Sequence, residues 1–451
     1  MTTVLLYTLG VLIFAFAILA SIGLHELGHM IPAKSFGGKV TQYFIGFGPT
    51  VWSRQVGETE YGVKAVPLGG YVKIVGMLPP GADDLVEEVE HGADGEPVYR
   101  VRKSNTGMFT QLISDARAAE WELVGPEDTD RLFYKMTWWK KVVVMAGGPT
   151  VNLVIAFGIF AAVFATVGNA GDPVAETTIE RVHACVIPAS ESGRTCTPAE
   201  LRDSPSPAYE AGLERGDRIV SINGTTVTSF EQVEKLVRGN GTRKATLVVE
   251  RDGHQMVVRT ETTVRPPEKG QAADERVGFL GVSPRSHART GGPLYTLDQM
   301  GHMTVGVVKA IGTLPPKVWG VAKAIVGLEE RDPEGPVSIV GGGRLAGETA
   351  SHSEISAKDK AITLLMLVAG FNFFIGMFNF VPLLPLDGGH IASALWEAVR
   401  RGWARVFSRP DPGYVDAARL LPIAYVVASA LLVMGVVLIV GDLVVPVHLE
   451  S

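Results

Sequence analysis

Cysteine is nearly absent: the 451 residues hold two, Cys185 and Cys196. That excludes a disulfide scaffold, and with no C-x-x-C spacing and only His183 nearby as a nitrogen donor it argues against a cysteine-held zinc. Charge is also thin, 20% of residues against 46% hydrophobic, and a net −6 over this length gives no sign of nucleic-acid binding. Four stretches carry no charge at all: 2–24, 142–171, 361–386 and 420–441. Each can cross a hydrocarbon core of about 30 Å at about 1.5 Å per residue, which predicts a polytopic α-helical membrane protein with four transmembrane helices.

The first run also lacks the marks of a secretory leader. "MTTVLLY" has no basic residue and no small-residue cleavage site precedes "SIGLHE", so a retained helix is favoured over a cleaved signal peptide. Lysine and arginine then orient the spans. Lys34, Lys39, Lys135, Lys140 and Lys141 flank the segment between the first two, and Arg400, Arg401, Arg405, Arg409 and Arg419 lie between the last two. The positive-inside rule makes both segments cytoplasmic and sets the N-terminus, the long 171–360 segment and the C-terminus outside. Cys185 and Cys196 then occupy a compartment that can be oxidising, on a short loop. A disulfide is expected there, with two free thiols as the alternative.

What is present divides as follows. After the first transmembrane helix (1–34) comes a cytoplasmic segment, 35–137. Its first part alternates Tyr, Phe, Val and Ile with small or polar residues, and glycine turns at 46–49 and 69–70 divide it, which predicts a membrane-associated β-hairpin region. From about residue 78 to 130 it reads as an acidic, mobile insertion, "PPGADDLVEEVEHGADGEP" and its continuation. Trp138, Trp139, Lys140 and Lys141 anchor the second transmembrane helix, 138–170. An extracytoplasmic domain (171–285), a connector containing the glycines at 341–343 (286–360) and the third transmembrane helix (361–390) follow. A cytoplasmic basic loop (391–417), the fourth transmembrane helix (418–443) and a short tail (444–451) complete the chain.

The first span ends in "HELGH", His25 to His29. On a helix, residues four apart share a face, so His25 and His29 can address one metal ion while Glu26 stands alongside as a base. Zinc suits two neutral imidazoles and a carboxylate and keeps a position open for water. Three ionisable groups in an apolar helix point to function rather than to a polar patch. The third ligand is sought where another span is interrupted. Asp387 closes a long uncharged run in "NFVPLLPLDGGH", where Pro382 and Pro385 cannot continue a helix and Gly388 and Gly389 allow a bend. His25 and His29 lie about 13 and 7 Å before Lys34 along a helix, at the same inner end of the membrane as Asp387.

Taken together, H-E-x-x-H in the first span, G-P-x-x-N at Gly148, Pro149 and Asn152 in the second, and L-D-G at Leu386, Asp387 and Gly388 in the third make the chain resemble the bacterial site-2 protease family. The 171–285 insert resembles a bacterial PDZ domain, an α+β fold, through S-P-A-x-x-A-G-L, G-D-x-I and I-N-G. The resemblance implies an intramembrane zinc metalloprotease, with Zn2+ on His25, His29 and Asp387, Glu26 as general base and Asn379 holding substrate. It also implies single-span membrane protein substrates, commonly anti-sigma factors trimmed first by another protease, and a peptide or substrate terminus at the PDZ domain. The strands around "GFGP" resemble the family's re-entrant hairpin. A single PDZ domain departs from members with two.

Two rival readings remain at this level. One is an inactive membrane PDZ scaffold, against which the intact His25, Glu26, His29 and Asp387 stand. The other is an anchored zincin with its site in a soluble domain, which requires a polar setting around H-E-x-x-H. His390, Asn152 and Asn372 read as structural, the asparagines bonding neighbouring helices, and the 341–343 glycines as connector.

Overall fold

The computed structural model describes residues 2–79, 88–91, 97–100, 113, 115–117, 124–125, 128–187, 195–264 and 278–448. Most of the expected acidic insertion lies outside the described residues. The chain forms two compact units, one from Met1–Ala162 with Pro293–Ser451 and one from Val163–Gly292.

In the first unit four helices are long and apolar enough to cross a membrane: Thr3–Ser35, Trp138–Thr166, Ala357–Asn379 and Ala417–Val444. A helix satisfies every backbone N–H and C=O within itself, so these runs can shed water, and side chains such as Leu5, Phe16, Val154 and Leu432 stand exposed on them. Where two spans meet, side chains vanish. A Cβ on Gly28 would come within 2.5 Å of the Gly147 carbonyl oxygen, and one on Gly147 within 1.9 Å of that of Gly28. Only glycine lets the first and second spans approach so closely.

Between them lies a β region of two long strands, Val40–Val56 and Thr59–Ile74. The reverse turn falls at residues 57–58, so 46–49 and 69–70 are not the chain reversals their glycines predict. They are bends inside the strands instead, with Gly46 and Gly69 at φ of 93° and 120°. Through these bends residues 42–45 pair on one side with 70–73 and on the other with 60–63. Tyr43 Oη–H donates to the Gly23 carbonyl at 2.7 Å and pins this sheet to the first span.

Two expected segments of the membrane unit change, and the connector, expected to be partly helical, is so. The third span stops at Asn379 instead of running to 390, because Pro382 and Pro385 lack the N–H a helix needs. The segment 391–417 is not mainly loop: a helix, Asp387–Val406, starts at Asp387 and buries Ala394, Glu397 and Ala404. Its charges look like loop in the sequence, yet Glu397 is neutralised inside by Lys141 at 2.7 Å and by Arg401 at 3.2 Å. The connector contains two helices, Pro293–Ile325 and Ile339–Ser351. The glycines at 341–343 sit buried in the second of these, where a Cβ on Gly342 would strike Phe371 at 2.7 Å and Phe14 at 2.9 Å. Buried Asp442 of the fourth span accepts the Ser338 N–H at 2.6 Å, just before that helix begins.

The Val163–Gly292 unit is an antiparallel sheet with Asn169–Val182, Arg218–Ile222, Lys244–Arg251 and His254–Glu261 adjacent in that order and Val282–Arg289 on the outer side of the first. Ile179, Ile219, Ile222, Leu247 and Val249 form its core, and Val233 and Val237 of the helix Phe230–Asn240 close it. Cys185 and Cys196 are joined by a disulfide. The unit begins and ends outside the expected limits of 171 and 285, because strand Val282–Arg289 runs on to pair with Asn169.

Candidate metal centre

The first span carries His25 and His29 on one face, and each is aimed by its Nδ1. His29 Nδ1–H donates to the Val144 carbonyl at 2.8 Å. His25 Nδ1–H donates to Asn152 Oδ1 at 2.9 Å, and Asn152 is held in turn by its own Nδ2–H to Asn372 Oδ1 at 3.3 Å. Asn372 finally donates to Val368 O at 2.9 Å. A carbonyl only accepts, so the bonding protons sit on Nδ1 and both Nε2 atoms keep free lone pairs.

Those lone pairs converge. The two Nε2 atoms are 3.3 Å apart, and each is 3.3 Å from Asp387 Oδ2. Three unprotonated acceptors meeting at one point repel one another unless a cation lies among them. The spacing suits the ion: ligand atoms about 2.0–2.1 Å from a tetrahedral zinc lie about 3.3 Å from one another. Room has been left as well, since a Cβ on Gly148 would come within 2.3 Å of His29 Nε2 and 2.8 Å of His25 Nε2. Among the described residues these three side chains are the group whose ligand atoms come close enough together to hold a metal ion.

The trio opens into a cavity of about 450 Å³ lined also by Glu26, Asn152, Asn379, Pro385 and His390. Glu26 lies beside His25 on the next step of the helix. A Cβ on Gly70 would sit 3.0 Å from the Glu26 Cγ, so the sheet runs close past this carboxylate. The sheet lines the cavity with Gly69–Val72 and Ile74, and the 46–49 bend that the sequence singles out is not among its lining.

Each site residue expected from the sequence thus has a place: His25, His29 and Asp387 meet, while Glu26 and Asn379 stand on the same cavity. His390 lines it too, one turn after Asp387, outside the three-residue group. Asn152 and Asn372 carry more than helix-to-helix bonding, because the chain they form fixes the His25 ring. Their position in apolar spans was the signal for this, since a polar side chain there needs a partner.

Residues 13–408 match the family model described as Peptidase family M50. The chain is 34% identical over 459 residues to the "Zinc metalloprotease Rip1" of Mycobacterium tuberculosis, across 99% of this chain and 100% of that one. It is 32% identical to the protein of the same name from Mycolicibacterium smegmatis, again across 99% and 100%. To the "Zinc metalloprotease RasP" of Bacillus licheniformis it is 28% identical over 414 residues, 83% of this chain and 87% of the other.

Proposed function

The chain belongs to peptidase family M50, the site-2 proteases, and on that premise we propose that it is a zinc endopeptidase that hydrolyses peptide bonds in or near the membrane segments of single-span proteins. The observation that carries the reading is the triangle of His25 Nε2, His29 Nε2 and Asp387 Oδ2, with 3.3 Å edges, set among membrane helices. A bound zinc supplies a Lewis acid for water and for the scissile carbonyl.

The protein's own groups do the rest. Glu26 takes a proton from the attacking water and returns it to the leaving amine. The Asn372–Asn152 chain keeps the His25 Nδ1 protonated, so that Nε2 faces the metal position. A helical substrate must unwind before a base and a metal can reach its backbone. In the sheet, strand 70–73 is paired with 42–45 on one edge; its other edge offers main-chain partners to an unwound segment. Asn379, at the end of the third span and on the cavity, holds a substrate peptide group by its amide.

The finer reading follows the resemblance. The substrates are anti-sigma factors already trimmed by a first protease, and the site works near the cytoplasmic face. In the Val163–Gly292 unit, a groove of about 210 Å³ lies between Phe230, Val233 and Val237 of the helix and the stretch Gly278–Val282. It serves as a PDZ-type groove for a peptide strand, placed outside the membrane.

The test uses purified full-length protein, a pre-trimmed single-span reporter in detergent, and a chelator. Cleavage by the wild type that stops on chelation and returns with zinc supports the reading. Bound zinc without cleavage of several such reporters overturns it in favour of a scaffold.

A further inference from the structure

The helix Asp387–Val406 is tethered to the membrane at both ends, residues 380–386 joining it to the third span and 407–416 to the fourth. One side of it, Ala394, Glu397 and Ala404, is buried in the protein. The opposite side is apolar and bare. Leu395, Trp396, Val399, Trp403 and Val406 recur every three or four residues and so share one face, with Trp403 61% and Val406 77% exposed. Phe407 extends the stripe by packing on Trp403, ring centroids 4.5 Å apart. A stripe of this size on a water-facing surface invites association, and tryptophan favours the membrane interface.

Against this face lies a groove of about 400 Å³ lined by Trp396, Val399, Arg400, Trp403 and Arg409, with Pro410 and Pro412. Arg400 is committed, its Nη2 donating to the Pro412 carbonyl at 2.9 Å. Arg401 is committed too, to Glu397 at 3.2 Å and Asp411 at 3.6 Å. The Arg409 guanidinium has no hydrogen bond or ion pair among the described residues, and neither has that of Arg405. An unpaired guanidinium three residues past the end of a helix tethered to the membrane, beside two exposed indoles of that helix, is chemistry for a molecule with an anionic head and apolar tails.

We propose that this groove binds an anionic phospholipid of the bilayer. The Arg409 guanidinium takes the headgroup phosphate as a bidentate partner, and the acyl chains lie along Trp396, Val399 and Trp403. The two tethers decide between a lipid and a soluble phosphate, because they hold the apolar stripe where acyl chains already are.

Full-length protein is placed in nanodiscs of phosphatidylcholine mixed with phosphatidylglycerol, with brominated chains on one lipid or the other, and tryptophan quenching is read. The wild type is expected to be quenched more by brominated phosphatidylglycerol. Arg409→Gln loses that excess, Arg409→Lys keeps part of it, and Trp396→Phe with Trp403→Phe loses it because the reporting rings are gone. Equal quenching of the wild type by the two lipids overturns the proposal. So does an excess that survives the double Trp→Phe change, which locates the anionic lipid elsewhere, or quenching of these rings by neither lipid, which gives the face to a protein partner. Thermal melts matching the wild type keep the variants comparable. The readout needs no proteolysis, so its failure and that of the metalloprotease reading are separable.

Discussion

His25 is aimed by a side chain and His29 by a backbone carbonyl, and the difference has a measurable consequence. Asn152→Ala frees the His25 ring and its tautomer while His29 stays held, so zinc affinity is expected to fall about 10–100-fold, the usual cost of losing such a support. Competition with a fluorescent chelator measures it; unchanged affinity would show that Asn152 does not orient the ligand. At Glu26 the expectation separates binding from chemistry. Glu26→Gln keeps the shape and should retain zinc while cleavage drops about 10²–10⁴-fold, whereas Asp387→Ala loses both. Parallel metal analysis and reporter cleavage read the two effects, and a Glu26→Gln protein that still cuts at the wild-type rate refutes the assigned base. Gly148→Ala is a third case: with no side chain removed, its Cβ enters the space the ligands converge on and zinc should be lost.

At the scale of elements, the helix that starts with Asp387 is fixed by what its other turns bury. Lys141 of the second span pairs with Glu397 at 2.7 Å, and the two side chains are only 8% and 1% exposed. Without Lys141 the buried Glu397 keeps only Arg401, at 3.2 Å, as its counter-charge, so Lys141→Met is expected to destabilise by up to about 3 kcal/mol, while Lys141→Met with Glu397→Leu recovers part of it. Thermal melting of the detergent-solubilised protein checks this; a double variant no better than the single one argues that the pair was not the source. The same helix shows why part of the chain was misread. Three arginines, an aspartate and a glutamate in twenty residues look like a solvated loop, and only the packed structure reveals that Glu397 is neutralised inside by Lys141 of the second span. Pro382 and Pro385, by contrast, acted locally, and the break before Asp387 was legible from them.

The whole molecule joins a membrane unit built on long apolar helices to a unit that carries its own core and disulfide. In the latter, burial by itself would raise the Asp217 carboxyl, but the bidentate Arg251 guanidinium, at 2.7 and 2.8 Å, and the Glu214 N–H outweigh it and hold Asp217 below the usual carboxylate range. A depressed pKa means stability that is full above the unfolded value, about 3.9, and lost as pH falls below it. Hydrogen exchange in strand Arg218–Ile222, corrected for its intrinsic pH dependence, should therefore accelerate on acidification below about pH 4. Asp217→Asn should flatten that dependence, and an identical profile in the variant would assign the acid sensitivity elsewhere.

The sequence by itself determined that four segments can span a membrane, the metal-binding pattern and the break before Asp387, because these follow from local rules: absent charge, a four-residue helical repeat and proline's missing N–H. Tertiary structure alone decided that three acceptors from two distant segments meet with 3.3 Å edges, that Asn152 serves His25, and that glycines bring the first two spans together. It also decided that charges read as loop lie paired inside a helix. Such facts depend on which residues become neighbours across more than a hundred positions, and a side chain's partner at that range is set by packing, which no local pattern encodes.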